Sequence, residues 1–271
     1  IFALQLPQST FEEINLPTGF LNIKQPHIND LMCDNEGNIW IMTNYNGVEI
    51  INNQLKRFEA YSIPATNTHT EADRKEVRAF YEDPQKNIWL GTSEGLWIFD
   101  PATKKFSEYP FENMPKHRLD ICSLLPNKEE LWIGTYKEGI YRLNIHTGKW
   151  KNYRYSQQMP HTIPSNDVLS LYQGHNGTIY VGTSIGLCRY RAETDNFLGA
   201  MTAVTDILED SQQHLWIATS NSGVFRMTTP KTGGTIWKHY KKVNQDSTSI
   251  ISNSITNLFE DKNNQIWFGT N

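Results

Sequence analysis

Short apolar runs, five or six residues long and rich in Ile, Val, Leu, Trp, Tyr and Phe, alternate along this chain with clusters of Gly, Asn, Asp and Pro. Apolar positions at helical spacing over ten or more residues are almost absent, so the pattern predicts strands joined by turns. Residues 77–109 set out one unit. Val77–Glu82 is expected as a first strand, ended by a turn over Asp83-Pro-Gln-Lys-Asn87. Ile88–Thr92 is the second strand and Leu96–Phe99 the third, with Lys105–Tyr109 as the fourth after the Asp100-Pro101 turn. Asp and Pro initiate tight turns, and Gly95 supplies the backbone freedom that the turn between the second and third strands requires.

The second strand recurs as Ile39-Trp-Ile-Met-Thr43, Leu131-Trp-Ile-Gly-Thr135, Ile179-Tyr-Val-Gly-Thr183, Leu215-Trp-Ile-Ala-Thr219 and Ile266-Trp-Phe-Gly-Thr270. Its aromatic positions, Trp40, Trp89, Trp132, Tyr180, Trp216 and Trp267, are spaced by 49, 43, 48, 36 and 51 residues. These intervals sit near the roughly 40–50-residue period of propeller blades. First strands begin near Ile28, Ile121, Val168, Val204 and Ile255, and Asp34, Asp210 and Asp261 match Asp83 six places on. Fourth strands read Arg57–Tyr61, Lys149–Tyr153 and Ile236–Tyr240. Residues 1–6 and 10–14 resemble a third and a fourth strand, whereas 254–260 and 265–270 supply a first and a second. The expectation is an all-β chain: a β-propeller of four-stranded antiparallel blades spanning 1–271 as one domain, six blades counted and seven the alternative. Strands from the two termini would close one blade and so remove open edges.

The stretch Ile88-Trp-Leu-Gly-Thr-Ser-Glu-Gly-Leu-Trp-Ile-Phe-Asp-Pro101 resembles the two-component regulator propeller repeat, as do the other copies. Residues 161–168, His-Thr-Ile-Pro-Ser-Asn-Asp-Val, resemble that family's lead-in to a blade. Met42 and Ala218 replace the repeat Gly, Tyr180 replaces Trp, and Asn127 stands where other units have the turn Asp. The resemblance implies the periplasmic sensor region of a hybrid two-component histidine kinase in an inner membrane. It also implies an oligosaccharide ligand released from a glycan, a neighbouring propeller or linker domain, and a homodimeric parent protein.

Composition narrows the classes without naming a ligand. A net charge of −4 and a pI near 6.1 argue against a nucleic-acid or anionic-membrane partner. No run approaches the roughly 18 apolar residues of a membrane span. The chain starts at Ile1 and ends directly after a repeat core, and is read as a piece of a longer protein. Cys33, Cys122 and Cys188 lack metal-ligand spacing and read as small buried hydrophobes, with no disulfide expected.

Long, variable links between units (62–76, 110–120, 154–167 and 241–254) should share one face with the turns between second and third strands. Such insertions commonly form the binding face of a repeat protein. Sugars take planar hydrogen-bonding groups and aromatic faces, which Tyr45, Asn46, Glu94, Tyr136, Asn166 and Asn221 offer. Arg74, His117, Arg118 and Lys137 suit an acidic or sulfated sugar. The competing reading of each is an ordinary solvated loop residue. Thr70-Glu-Ala-Asp73 resembles a capping box, predicting a short helix over 70–76. The repeated tryptophans read as inter-blade packing and the second-strand threonines as strand-end hydrogen bonders. His69, Glu71 and Asp73 have ligand spacing but read as loop charges. Catalytic residues, a metal site and a cofactor are none of them expected. A propeller enzyme, with acid–base groups converging on the channel mouth, and a protein-interaction scaffold stand as alternatives.

Overall fold

A computed structural model describes residues 2–5, 10–13, 28–43, 47–52, 57–64, 76–112, 118–199, 203–228 and 235–270. Each strand pairs with its sequence neighbour, so the sheets are antiparallel meanders. The first complete blade comprises β3 (Ile28–Cys33), β4 (Ile39–Thr43), β5 (Gly47–Asn52) and β6 (Arg57–Ser62). The second has β7 (Val77–Glu82), β8 (Ile88–Thr92), β9 (Gly95–Asp100) and β10 (Lys105–Glu108). The third has β11 (Ile121–Asn127), β12 (Glu130–Thr135), β13 (Ile140–Asn144) and β14 (Trp150–Tyr153). Next come β15 (Val168–Gln173), β16 (Ile179–Thr183), β17 (Leu187–Arg191) and the three-residue β18 (Asn196–Leu198). The fifth has β19 (Val204–Glu209), β20 (Leu215–Thr219), β21 (Val224–Thr228) and β22 (Ile236–Tyr240).

The ends differ from expectation in one respect. β1 (Phe2–Gln5) pairs with β2 (Thr10–Glu13), and β23 (Ile255–Glu260) with β24 (Ile266–Thr270), but the two hairpins remain separate sheets. The shared closing blade is therefore not formed among the described residues. The apolar faces agree: Trp267 and Phe259 are 50% and 63% exposed at one end, Leu31 and Ile39 52% and 39% at the other. The corresponding residues of inner blades are covered by a neighbour. The charges at 69–73, and all of the expected helix over 70–76 except Glu76, lie outside the described residues.

Two devices explain why the second strand repeats. Four of the turn aspartates accept a hydrogen bond from the indole Nε1 six residues on: Asp34 from Trp40 at 2.8 Å, Asp83 from Trp89 at 3.0 Å, Asp210 from Trp216 at 2.7 Å and Asp261 from Trp267 at 2.9 Å. The same carboxylates accept the backbone N–H that closes the turn, as from Asn38 and Asn87 at 2.8 Å. One acid thus fixes both the turn and the ring. The third blade has Asn127 and a turn one residue shorter, and there the buried Trp132 Nε1 has no partner.

Three of the four clasped indoles then lie against the next blade. Trp40 packs on Ile88, Leu90 and Phe99, Trp89 on Ile121, Leu131 and Ile133, and Trp216 on Ile255 and Leu258. The repeat glycine permits that approach: a Cβ at Gly91 would stand 2.6 Å from Ile121 Cγ2, and one at Gly134 2.7 Å from Val168 Cγ1. Strand-end threonines complete the pattern, Thr92, Thr135, Thr183 and Thr219 donating through Oγ1 to the carbonyls of Gly95, Gly139, Gly186 and Gly223 at 2.7–2.9 Å. The cysteines are free thiols. Cys188 is buried, with its thiol pushed up to about 12 by burial, but Cys33 is exposed at the end of β3, contrary to expectation.

Candidate functional site

Every first strand carries a bulge after its first residue: the register slips between Ile28/Asp30, Val77/Ala79, Ile121/Ser123, Val168/Ser170, Val204/Asp206 and Ile255/Asn257. A bulge re-aims the extra residue, here Asn29, Arg78, Cys122, Leu169, Thr205 or Thr256. Together the bulged strands line an axial channel of about 220 Å³, with Asp30, Arg78, Cys122, Thr205, Asp206 and Asn257 on its wall. Bulge residues also stitch blades together: Asn29 Nδ2 donates to the Val77 carbonyl at 2.9 Å and Thr205 Oγ1 to the Ile255 carbonyl at 2.7 Å.

The channel holds charge in a place that disfavours it. Burial pushes the Asp206 carboxyl up to about 6 and the neighbouring Asp30 charge adds to this, although it accepts N–H groups of Ile207 and Leu258, both at 2.8 Å. Burial likewise raises Asp30. Near one mouth Arg78 pairs with Glu76 at 2.9 Å and with Asp120. Burial raises the Asp120 carboxyl even against the Arg78 charge. None of these five was singled out in the sequence. The signal that could have found Arg78 is the variable residue after the conserved-looking Ile or Val that begins each first strand.

The face carrying the second-to-third-strand turns also carries the links, as expected. Lys137 N–H donates to Asp167 Oδ1 at 3.0 Å, Gly139 N–H to the Asn166 carbonyl at 3.0 Å and Gly223 N–H to the Asn253 carbonyl at 2.9 Å. On this face Glu94 pairs with Arg118 across the second and third blades. Tyr136 is 41% exposed, with Lys137 Nζ 4.9 Å from its ring centroid. Asn221 accepts from the Ser222 hydroxyl at 3.1 Å on the fifth blade, apart from that group. Asn166 is committed to the fold, since its Oδ1 accepts the Tyr155 N–H at 2.8 Å. Asn253 does the same for Lys242 at 2.7 Å, so the Ser-Asn pairs at 165–166 and 252–253 are a second repeated device. Tyr45, Asn46, Arg74 and His117 lie outside the described residues.

Comparison with known proteins gives this architecture a family. A model of the two-component regulator propeller matches residues 22–45, 73–94, 162–184, 200–221 and 249–271. The third blade, without the clasping Asp, falls between the matches. Among solved structures, the extracellular domain of a putative hybrid two-component system from B. thetaiotaomicron superposes with a TM-score of 0.76 at 23% identity, over 97% of this chain and 35% of that one. PorZ of the type-IX secretion system of Porphyromonas gingivalis gives 0.65 at 16% identity, over 90% of this chain and 37% of that one. At these identities the likeness shows the fold, and the chain spans about a third of the length of either structure. Histidine kinase P4 of Formosa agariphila is 31% identical over 85 residues, 26% of this chain and 6% of that protein. No helix among the described residues is long and apolar enough to cross a membrane. With five repeats matched between residues 22 and 271, the chain is built from two-component regulator propeller repeats.

Proposed function

We propose that this propeller is a ligand-sensing segment of a hybrid two-component histidine kinase, periplasmic in location, that binds a glycan-derived oligosaccharide and acts by binding rather than catalysis. The observation that carries the reading is the contrast between what repeats and what varies on one face. Threonine, glycine and the Asp–Trp clasp recur to hold blades, whereas Ser93-Glu94, Arg118 and Tyr136-Lys137 differ from copy to copy on the face that carries the links. An aromatic ring beside a cation, with an ion pair on the same face, offers a sugar both its apolar face and its hydroxyls a partner. Coupling to a kinase requires that the ligand favour one of two arrangements of this segment with a neighbouring domain or with a second copy in a homodimer.

The test is calorimetry against a panel of neutral, acidic and sulfated oligosaccharides, with product analysis of the same mixtures. Heat of binding without turnover is expected. Turnover would show an enzyme, and silence across the panel would overturn the carbohydrate ligand.

A further inference from the structure

The fourth blade departs from the repeat at two linked positions: Gly174 stands where the clasping Asp belongs, and Tyr180 where the indole belongs. A cleft of about 520 Å³ opens beside Tyr180, between the outer strands of the fourth and fifth blades. Tyr180, Leu198 and Met227 give it apolar surface, Trp237 stands at it 44% exposed, and Arg189 lies on its wall.

The arginine position is informative because two other blades carry it too. Opposite Trp132, Arg142 lies 5.6 Å from the ring, bonds Glu130 at 2.7 Å and Tyr190 at 3.1 Å, and is fully engaged. Opposite Trp216, Arg226 lies 5.5 Å from the ring. Opposite Tyr180, Arg189 is exposed, and among the described residues no ion pair or hydrogen bond engages its side chain. A cleft with one uncommitted guanidinium and an exposed indole favours a ligand with an anionic group and a flat apolar face.

We propose that the cleft between the fourth and fifth blades is a second binding site, taking an acidic sugar unit with its carboxylate or sulfate on Arg189 and its ring against Trp237. The sugar chemistry rests on the carbohydrate reading above, whereas the location does not.

Oligogalacturonate and the matched neutral galactose oligomer are the probes, titrated by calorimetry and indole fluorescence into the wild type, Arg189→Gln, Trp237→Leu and Tyr136→Ala, each first checked for an unchanged melting curve. The proposal expects oligogalacturonate binding that weakens about tenfold or more in Arg189→Gln and Trp237→Leu and persists in Tyr136→Ala. Binding indifferent to both cleft variants overturns it, as does the absence of oligogalacturonate binding. Neutral-oligomer binding lost in Tyr136→Ala alone would leave the general carbohydrate reading standing while this inference fails. If neither probe binds, both fall for this sugar class.

Discussion

The Asp–Trp clasp is where single residues decide most. Asp34 and Asp210 feel burial that would raise their carboxyls, yet the indole and turn hydrogen bonds hold them below the ordinary value. Removing such an acid leaves a buried indole N–H and turn amides unsatisfied. Asp83→Ala is therefore expected to destabilise the fold by about 2 kcal/mol or more, read as a shift in the urea midpoint. A midpoint within error of the wild type would show that the turn does not need the acid. Gly134 predicts a steric cost instead, since a Cβ there would also meet Ser123 Oγ at 2.2 Å. Gly134→Ala should cost about 1–3 kcal/mol by overpacking in the same assay. Trp, Gly and Thr were legible in the sequence as blade residues because six copies exposed them. The clasp itself was not, because a turn Asp and a mid-strand Trp six residues apart reveal their bond only once the turn is built.

At the scale of strands, the order and direction of the strands followed from period and punctuation. β18 was missed because three residues, Asn196–Leu198, carry too little alternation to register. The six bulges were also invisible, since a slip of one residue changes no residue type. Asp206 is their most testable consequence, joining β19 to β23 through the Leu258 N–H. Its carboxyl titrates near 6 in the folded chain against an unfolded value near 3.8. A raised acid contributes stability that is complete below about pH 4 and is lost as pH rises through about 6, on the order of 3 kcal/mol in all. Relative to Asp206→Asn, the wild type should therefore lose melting temperature between pH 4 and pH 7. Parallel curves would show that burial in the channel, and the nearby Asp30, do not perturb it.

For the molecule as a whole, the repeat builds the scaffold, and the proposed function is sought in the departures from it. Sequence indicated which links and turns share a face, but could not separate Asn166, tied to the Tyr155 amide, from Tyr136, whose ring is exposed. That distinction depends on hydrogen bonds closed between residues eleven apart in a link. Nor could it place Arg78 in the channel or open the cleft beside Tyr180. Arg118 pairs with Glu94 at a surface where ion pairs contribute little, so Arg118→Ala should change stability by less than about 1 kcal/mol while weakening oligosaccharide binding. A stability loss equal to the binding loss would assign Arg118 to the scaffold.

Amide hydrogen exchange with and without a saturating oligosaccharide from the panel tests the central claim most directly, because it reads every turn at once. Ligand should slow exchange in the variable turns at 93–95, 118–120 and 136–139, while the clasped turns at 83–87, 210–214 and 261–265 exchange as before. Unchanged exchange in the variable turns at saturation, with protection in the clasped turns instead, would contradict it.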